Sequence, residues 1–157
     1  MNIRPATDAD GAPLAALIAA TFAEYPGCLF VDAEFPELKA PASHYEQAGG
    51  RLFIAEDDGR LVGSLAAVIS PVPGTAELFK VYAAAETRGT GLAQRLYAEG
   101  EALARSGGAC EIVLWSDTRF ARGHRFYEKL GFVREPVERY LADASASWEF
   151  FFRKRLA

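Results

Sequence analysis

Apolar residues recur along this chain at two spacings, one typical of helices and one typical of strands. Near the amino terminus they follow the three- and four-residue spacing of an amphipathic helix face. Thr7 and Asp10 form a capping-box pattern just before that helix, and Pro13 suits its first turn. The positions on the helix face are Leu14, Leu17, Ile18, Thr21 and Phe22.

The later apolar runs are short and separated by glycine, proline and aspartate, which favours strands joined by turns. A broken stretch over 25–41 predicts a loop with a short helix near 35–39 and another near 43–47. The other predicted strands are 1–5, 51–55, 60–70, 76–84, 109–115, 132–139 and 147–153, and the other helices are 89–105 and 120–130. This order predicts one mixed α/β domain over 1–157, with the sheet covered by helices.

Composition and charge narrow the class of protein. Apolar residues make up 50% and charged residues 24% of the chain, an ordinary globular mixture, and the net charge of −4 argues against general nucleic-acid binding. No apolar run reaches the roughly 18 residues of a membrane span. The first ten residues lack the apolar core of a secretory signal. Two cysteines without CxxC spacing and two histidines predict no metal site, and we expect reduced thiols in a cytoplasmic protein.

The charges are unevenly distributed. Residues 1–60 hold ten acids and four bases, whereas residues 119–157 hold nine bases and five acids. This split suits a cationic ligand at one end of a site and an anionic ligand at the other. A chance distribution over solvated faces accounts for it equally well.

The segment Arg88-Gly89-Thr90-Gly91-Leu92-Ala93 lies at a predicted strand-to-helix junction. Glycines at such a junction let the backbone approach a ligand, and the amides at a helix start favour phosphate. Arg88 adds a cation that can bind phosphate oxygens. The segment is neither a dinucleotide-binding GxGxxG nor a Walker loop, because the third glycine and the Gly-Lys-Ser/Thr ending are absent. A tight turn before a helix is the alternative interpretation.

This segment resembles the acyl-CoA-binding signature of the GNAT superfamily of N-acetyltransferases, Gln/Arg-x-x-Gly-x-Gly/Ala. A second stretch, from Phe126 to Phe132, is similar to the family's Phe-Tyr-x-Lys-x-Gly-Phe ending. The resemblance implies a largely antiparallel sheet with a splayed parallel central pair. It also implies acetyl-CoA as acyl donor, no metal, and a monomer or homodimer that binds neither nucleic acid nor membrane.

The resemblance assigns cofactor-binding roles residue by residue. The main chain of Val81, Tyr82 and Ala83 would pair with the pantetheine arm, and Arg88, Gly89, Thr90, Gly91, Leu92 and Ala93 would hold the pyrophosphate. Many members carry an Asn at the end of the next strand and an Ala three residues before the Tyr. This chain has no such Asn, and His124 stands at the Ala position. Thr118 or Asp117 is therefore expected to supply the contact to the cofactor arm.

Two catalytic residues follow from the same resemblance. Glu77 lies eleven residues before Arg88, as does the general base of related histone acetyltransferases, and a carboxylate can take the proton that an ammonium must lose before it attacks. An exposed residue at a strand entrance is the alternative. Tyr127 matches the family's general acid, which stabilises the departing thiolate. Phe126 and Leu130 are predicted to face the core, leaving Tyr127 free to point elsewhere.

The acceptor site is predicted in the loop after the first helix, where acids alternate with aromatics. Glu24, Tyr25, Phe30 and Glu34 would favour a cationic primary amine, either a small molecule or a peptide. Trp148 and Phe150 are expected to fill core. Two other functions stay open: transfer of a longer acyl group, and a non-catalytic or regulatory CoA-binding module of the same fold.

Overall fold

The computed structural model describes residues 1–157, and its elements follow the predicted order. The strands are β1 (Asn2–Pro5), β2 (Gly50–Asp57), β3 (Arg60–Ile69), β4 (Thr75–Ala83), β5 (Glu111–Asp117), β6 (Val133–Tyr140) and β7 (Trp148–Arg155). The helices are α1 (Gly11–Phe22), α2 (Pro41–Gln47), α3 (Leu92–Ser106) and α4 (Ala121–Lys129). Single 3₁₀ turns occupy Asp8–Asp10, Asp32–Glu34, Pro36–Lys39 and Ala85–Thr87. None of the four helices combines the length and apolarity that crossing a bilayer requires.

All seven strands form one sheet in the order β1-β2-β3-β4-β5-β7-β6. Every neighbouring pair is antiparallel except β4 and β5, which run parallel. Helices α1 and α2 pack on one face of the sheet and α3 on the other, and each face has its own buried cluster of apolar side chains. The mixed α/β class with a parallel central pair is therefore confirmed.

Strands β4 and β5 pair over a short distance only. Thr75, Ala76 and Glu77 pair with Glu111, Ile112 and Val113, and no later residue of either strand pairs with the other. Beyond Glu77 the two strands separate, so the carboxyl-terminal half of β4 has a strand partner only on its β3 side. This separation opens the sheet at its centre.

A β-bulge interrupts β4 beside the same opening. The register with β3 shifts between Ser64 and Ala66, and Lys80 adopts a left-handed conformation with φ of 53°. The buried Ser64 hydroxyl donates a 2.6 Å hydrogen bond to the Lys80 carbonyl, which stabilises the extra residue. The bulge breaks the strict alternation of side chains along the strand: Leu78 and Val81 pack in the α3 cluster, whereas Phe79 and Tyr82 pack against the α1 cluster.

Two packing expectations are wrong. Phe126 and Leu130 do pack against the core, but Tyr127 does not point elsewhere: it is the buried residue of α4, with 6% of its surface exposed, because its ring packs against Phe132 and Phe152. Trp148 does not fill core: half of its surface is exposed, and it stacks on Tyr140 at the outer hairpin. Alternation along β7 instead buries Phe152 completely.

Candidate active site

The gap between β4 and β5 forms a cavity of about 480 Å³, here called the cofactor cleft. Its walls come from β4, from the turn before α3, from the end of β5 and from α4. The predicted cofactor residues that line it are Val81, Tyr82, Ala83, Arg88, Gly89, Gly91, Leu92 and Ala93. On the open side of β4 the main chain of 81–83 has no strand partner, so it is available to pair with an extended ligand.

The turn before α3 presents free amides to the cleft. Gly89 and Gly91 have φ values of 78° and 82°, and no heavy atom lies within 4 Å of a Cβ built on either, so the backbone is open to a ligand. The amides of Gly89, Gly91, Ala93 and Gln94 donate no hydrogen bond within the protein. Because α3 begins at Leu92 rather than at the predicted Gly89, both glycines precede the helix and expose its positive end.

Thr90 faces away from this surface. Its hydroxyl donates a 2.5 Å hydrogen bond to the Thr87 carbonyl and accepts from the Leu92 amide at 3.3 Å, and the residue does not line the cleft. Its side chain therefore shapes the turn. The pyrophosphate contact predicted for Thr90 is a main-chain contact, and its amide here donates to the Thr87 carbonyl at 3.2 Å.

Basic side chains surround the outer part of the cleft. Arg122, Arg125 and Lys129 line it from α4, whereas Arg119 turns away to pair with Asp117 at 2.8 Å. Arg88 forms an ion pair with Glu24, and Arg122 lies 3.8 Å from the same carboxylate. Glu24, predicted to bind the acceptor, is thus placed among cations at the cofactor side.

Tyr127 lines the inner part of the cleft. Burial raises the pKa of its phenol well above the usual value, and no protein group forms a hydrogen bond with its hydroxyl. The phenol is therefore protonated at neutral pH and has a proton to donate to a ligand.

Ser116 is a lining residue that sequence reasoning missed. It lies at the end of β5, is buried and faces the cofactor cleft. The predicted Thr118 lies two residues beyond, lines neither cavity and binds the Trp148 carbonyl through its amide at 2.9 Å. Asp117, the other candidate, points to the opposite side of β5 because side chains alternate along a strand. That alternation was a signal available in the sequence.

His124 contacts Asp117 through the main chain rather than through the carboxylate. Its Nε2 lies 2.9 Å from the Asp117 carbonyl oxygen, and its ring packs against Phe150 and Phe152. Burial lowers the pKa of this imidazole, which favours the neutral form. His124 therefore ties α4 to the end of β5.

A second cavity of about 210 Å³, here called the acceptor cavity, lies on the other side of Tyr82 and Phe120. These two aromatic residues line both cavities, so the cavities meet at their rings. Glu77 lines the acceptor cavity and is half-buried. Burial raises the pKa of its carboxyl, Arg139 opposes the shift and Glu149 adds to it; no hydrogen bond holds the carboxylate.

The comparison with protein families decides the assignment. Residues 16–132 match the model of the acetyltransferase (GNAT) family, which is well over half of the chain. The chain belongs to the GNAT acetyltransferase family. A search of curated proteins gave no significant match.

Solved GNAT structures share the whole fold. An acetyltransferase of the GNAT family from Staphylococcus aureus is 16% identical with a TM-score of 0.84, and 99% of each chain is covered. An acetyltransferase from Streptococcus agalactiae is 24% identical with a TM-score of 0.81, covering 99% of this chain and 98% of that one. The PaiA N-acetyltransferase of Thermoplasma acidophilum, solved in complex with coenzyme A, is 20% identical with a TM-score of 0.75, and 98% of each chain is covered.

Within this GNAT fold the four residues predicted to bind the acceptor separate. Only Glu34 lines the acceptor cavity, where its carboxylate accepts a 2.8 Å hydrogen bond from the Ala144 amide. Tyr25 lines the cofactor cleft beside Phe120, with ring centroids 4.9 Å apart. Phe30 stacks on Phe35 at 5.2 Å and supports the cavity from behind.

The residues that sequence reasoning missed come from the far end of the chain and from the bulge. Arg139 and Glu149 line the acceptor cavity from β6 and β7, and Lys80 lines it from β4. Arg139 and Glu149 pair at 2.7 Å, and the guanidinium lies 4.3 Å from the centroid of the Trp115 ring. No motif marks these positions, because they meet only when the sheet is formed.

Proposed function

We propose that this protein is an acyl-CoA-dependent N-acyltransferase that moves an acetyl group from acetyl-CoA to a primary amine by direct attack in a ternary complex. The observation that carries the proposal is the meeting of two cavities at Tyr82 and Phe120. One cavity has a phosphate-binding turn and the buried phenol of Tyr127, and the other has the unpaired carboxylate of Glu77. Donor and acceptor would therefore contact each other only at this junction.

The residues of the cofactor cleft fit coenzyme A chemically. The amides from Gly89 to Gln94 that have no protein acceptor, together with the positive end of the fifteen-residue α3, suit a pyrophosphate. Arg122, Arg125 and Lys129 suit the remaining phosphate. The unpaired edge of β4 over 81–83 suits the amides of a pantetheine arm, and bound acetyl-CoA would supply an activated thioester at the inner end.

Glu77 would act as the general base. A primary amine is protonated at neutral pH and cannot attack until it loses a proton. The raised pKa of Glu77 brings this carboxyl closer to the range in which a base both accepts and releases protons. Glu77 lines the acceptor cavity and not the cofactor cleft, which supports a role near the amine rather than near the thioester.

Tyr127 would act as the general acid. In the proposed reaction the amine nitrogen bonds to the acetyl carbon, the carbon–sulfur bond breaks, and the departing thiolate takes the phenolic proton. The ammonium gives its first proton to Glu77 before the attack, and Glu77 later releases this proton to solvent. After the attack the nitrogen loses its second proton to the Tyr127 phenolate, so protons and charges balance. An amide of β4 between Val81 and Ala83 would stabilise the negative charge that develops on the carbonyl oxygen.

The test is thiol release measured together with binding. Purified protein is titrated with acetyl-CoA by calorimetry, and free thiol is then followed with a panel of primary amines. We expect saturable binding, a rise in melting temperature, and one thiol released for each amine acetylated. Binding without amine-dependent thiol release would instead favour the non-catalytic module. Release with longer acyl-CoA but not with acetyl-CoA would favour transfer of a longer acyl group.

A further inference from the structure

Two loops, one after α1 and one between β6 and β7, border the acceptor cavity and are joined by hydrogen bonds. The Leu29 amide donates a 2.8 Å hydrogen bond to the Ser145 hydroxyl, which donates in turn to the Leu29 carbonyl at 3.2 Å. The Ala144 amide donates to Glu34 at 2.8 Å. Residues of both loops line the cavity. A cavity of about 210 Å³ bordered by such loops suits a small molecule better than a peptide chain.

Most of the carboxylates in this cavity are already engaged by the protein. Four of its five carboxylates have partners within the protein. These pairs are Glu34 with the Ala144 amide, Asp117 with Arg119, Asp143 with the amide and hydroxyl of Ser147, and Glu149 with Arg139. Glu77 alone has neither an ion pair nor a hydrogen bond. Two of these carboxylates are neutralised by arginines and two are held by neutral donors, so Glu77 is the carboxylate left to bind an acceptor's amine.

One cation in the cavity has unused hydrogen-bond donors. The Lys80 side chain is 13% exposed, and its Nζ lies 3.8 Å from the Glu37 carboxylate, which is too long for a hydrogen bond. The nearest aromatic ring, that of Phe35, has its centroid 5.3 Å away. An ammonium carries three donors, and this one donates none of them to the protein. Arg139, the other cation of the cavity, is engaged by Glu149.

The bulge is what brings Lys80 to the same cavity as Glu77. Residues three apart on a regular strand point to opposite faces, and Lys80 would then follow Leu78 into the core. The extra residue held by Ser64 shifts the alternation, so that Glu77 and Lys80 both line the acceptor cavity. The fold thus places on one wall the unpaired carboxylate of Glu77 and the ammonium of Lys80, whose ion pair with Glu37 is too long to occupy its hydrogen-bond donors.

We propose that the acceptor is a free amino acid, an inference that rests on the proposed function. Its carboxylate would bind Lys80 and its amine would lie against Glu77. A molecule with both groups complements the unpaired charge of Glu77 and accepts hydrogen bonds from Lys80, whereas a simple amine would leave the Lys80 donors unused. This proposal revises the expectation of a purely cationic acceptor.

The experiment compares matched acceptors that differ only at the carboxylate. Leucine, phenylalanine and 4-aminobutyrate are each assayed beside the corresponding amide and the decarboxylated amine, with thiol release as the readout. We expect the best kcat/KM among the acids, at least about tenfold above the matched amide and amine, since one charge-assisted hydrogen bond contributes that much. If amides or amines react better on every skeleton, the proposal is wrong while the proposed function stands.

Variants of Lys80 test whether this residue binds the carboxylate of the acceptor. In Lys80→Met the ratio of kcat/KM for the acid to that for the matched amine should fall by about 30-fold, and Lys80→Arg should restore part of it. Lys39→Met, which removes an exposed lysine of the same region, is the matched control. An unchanged ratio in Lys80→Met overturns the proposal, even if both rates fall. No thiol release from any acceptor, in an enzyme that binds acetyl-CoA, overturns the proposed function as well.

Discussion

The cofactor cleft and the acceptor cavity are adjacent, but they differ in the protein groups that they present to a ligand. Besides its side chains, the cleft offers main-chain groups without a protein partner: free amides at two left-handed glycines, the start of a long helix and an unpaired strand edge. The acceptor cavity is formed by residues from four strands, three loops and the end of α1. Main-chain groups are kept under any substitution that preserves the turn, whereas a surface made of side chains changes with each substitution. The cleft therefore includes a main-chain half of the proposed site, and the acceptor cavity is its side-chain half.

The largest expected effect is on the acceptor side, at Glu77. In Glu77→Gln we expect kcat/KM for the amine to fall by about 100-fold at neutral pH, because the amine loses its base. The wild-type kcat/KM should rise as the pH rises through the pKa of Glu77, which burial has raised. This rising limb of the pH–rate profile should be absent from the variant. A pH–rate profile for both proteins, with the exposed Glu138→Gln as control, measures this. A retained limb would assign the base to another group.

Glu77→Gln also has a stability signature. A carboxyl whose pKa is higher in the folded than in the unfolded state binds more protons when folded, so stability falls as pH rises from the unfolded pKa through the folded one. Removing the ionisable group should therefore leave stability at neutral pH equal or slightly higher. A clear drop in melting temperature at pH 7 would show that the Glu77 carboxylate supports the fold.

Tyr127→Phe should separate catalysis from donor binding. The ring packing against Phe132 and Phe152 is kept, so acetyl-CoA affinity should change little, while kcat falls by about 50-fold through loss of the proton donor. Calorimetry and steady-state rates together give the comparison, with Tyr140→Phe at the exposed hairpin as control. If wild type and Tyr127→Phe have equal kcat values, Tyr127 is not the general acid.

The two halves also differ in how far the sequence predicted them. The turn from Arg88 to Ala93 and the paired elements were predictable because glycine conformation, helix starts and strand periodicity are local properties. The acceptor residues were not. Lys80 reaches the cavity only through a bulge that breaks the period of two, and Glu24 pairs with Arg88, which is 64 positions away in the chain. Such partners depend on tertiary packing, which composition does not encode.

Gly91→Ala tests the main-chain half. An alanine at φ of 82° meets no neighbouring atom, so the cost is conformational, about 1 kcal/mol, and the turn is expected to relax away from the phosphate geometry. The KM for acetyl-CoA should rise by about tenfold, with little change in KM for the amine. Gly108→Ala has the same φ and equally open space at the far end of α3, and it serves as a matched control. Equal effects of the two variants on KM would contradict a binding role for the turn.

The smallest expected effect is at the outer rim. Glu24 competes with phosphate for Arg88 and Arg122, so Glu24→Gln should tighten acetyl-CoA binding by about threefold at low salt and by less at high salt. Titrations at two ionic strengths, with Glu86→Gln as a control for an exposed ion pair elsewhere, give the answer. Weaker binding in Glu24→Gln would mean that Glu24 positions Arg88 for the donor.

The central claim is that donor and acceptor occupy the two cavities together and react where Tyr82 and Phe120 separate them. Initial rates over a matrix of acetyl-CoA and acceptor concentrations test it most directly. Direct transfer in a ternary complex predicts double-reciprocal lines that intersect, with one N-acetylated product for each thiol released. Parallel lines, together with an acetyl group found covalently on the protein, would contradict the account.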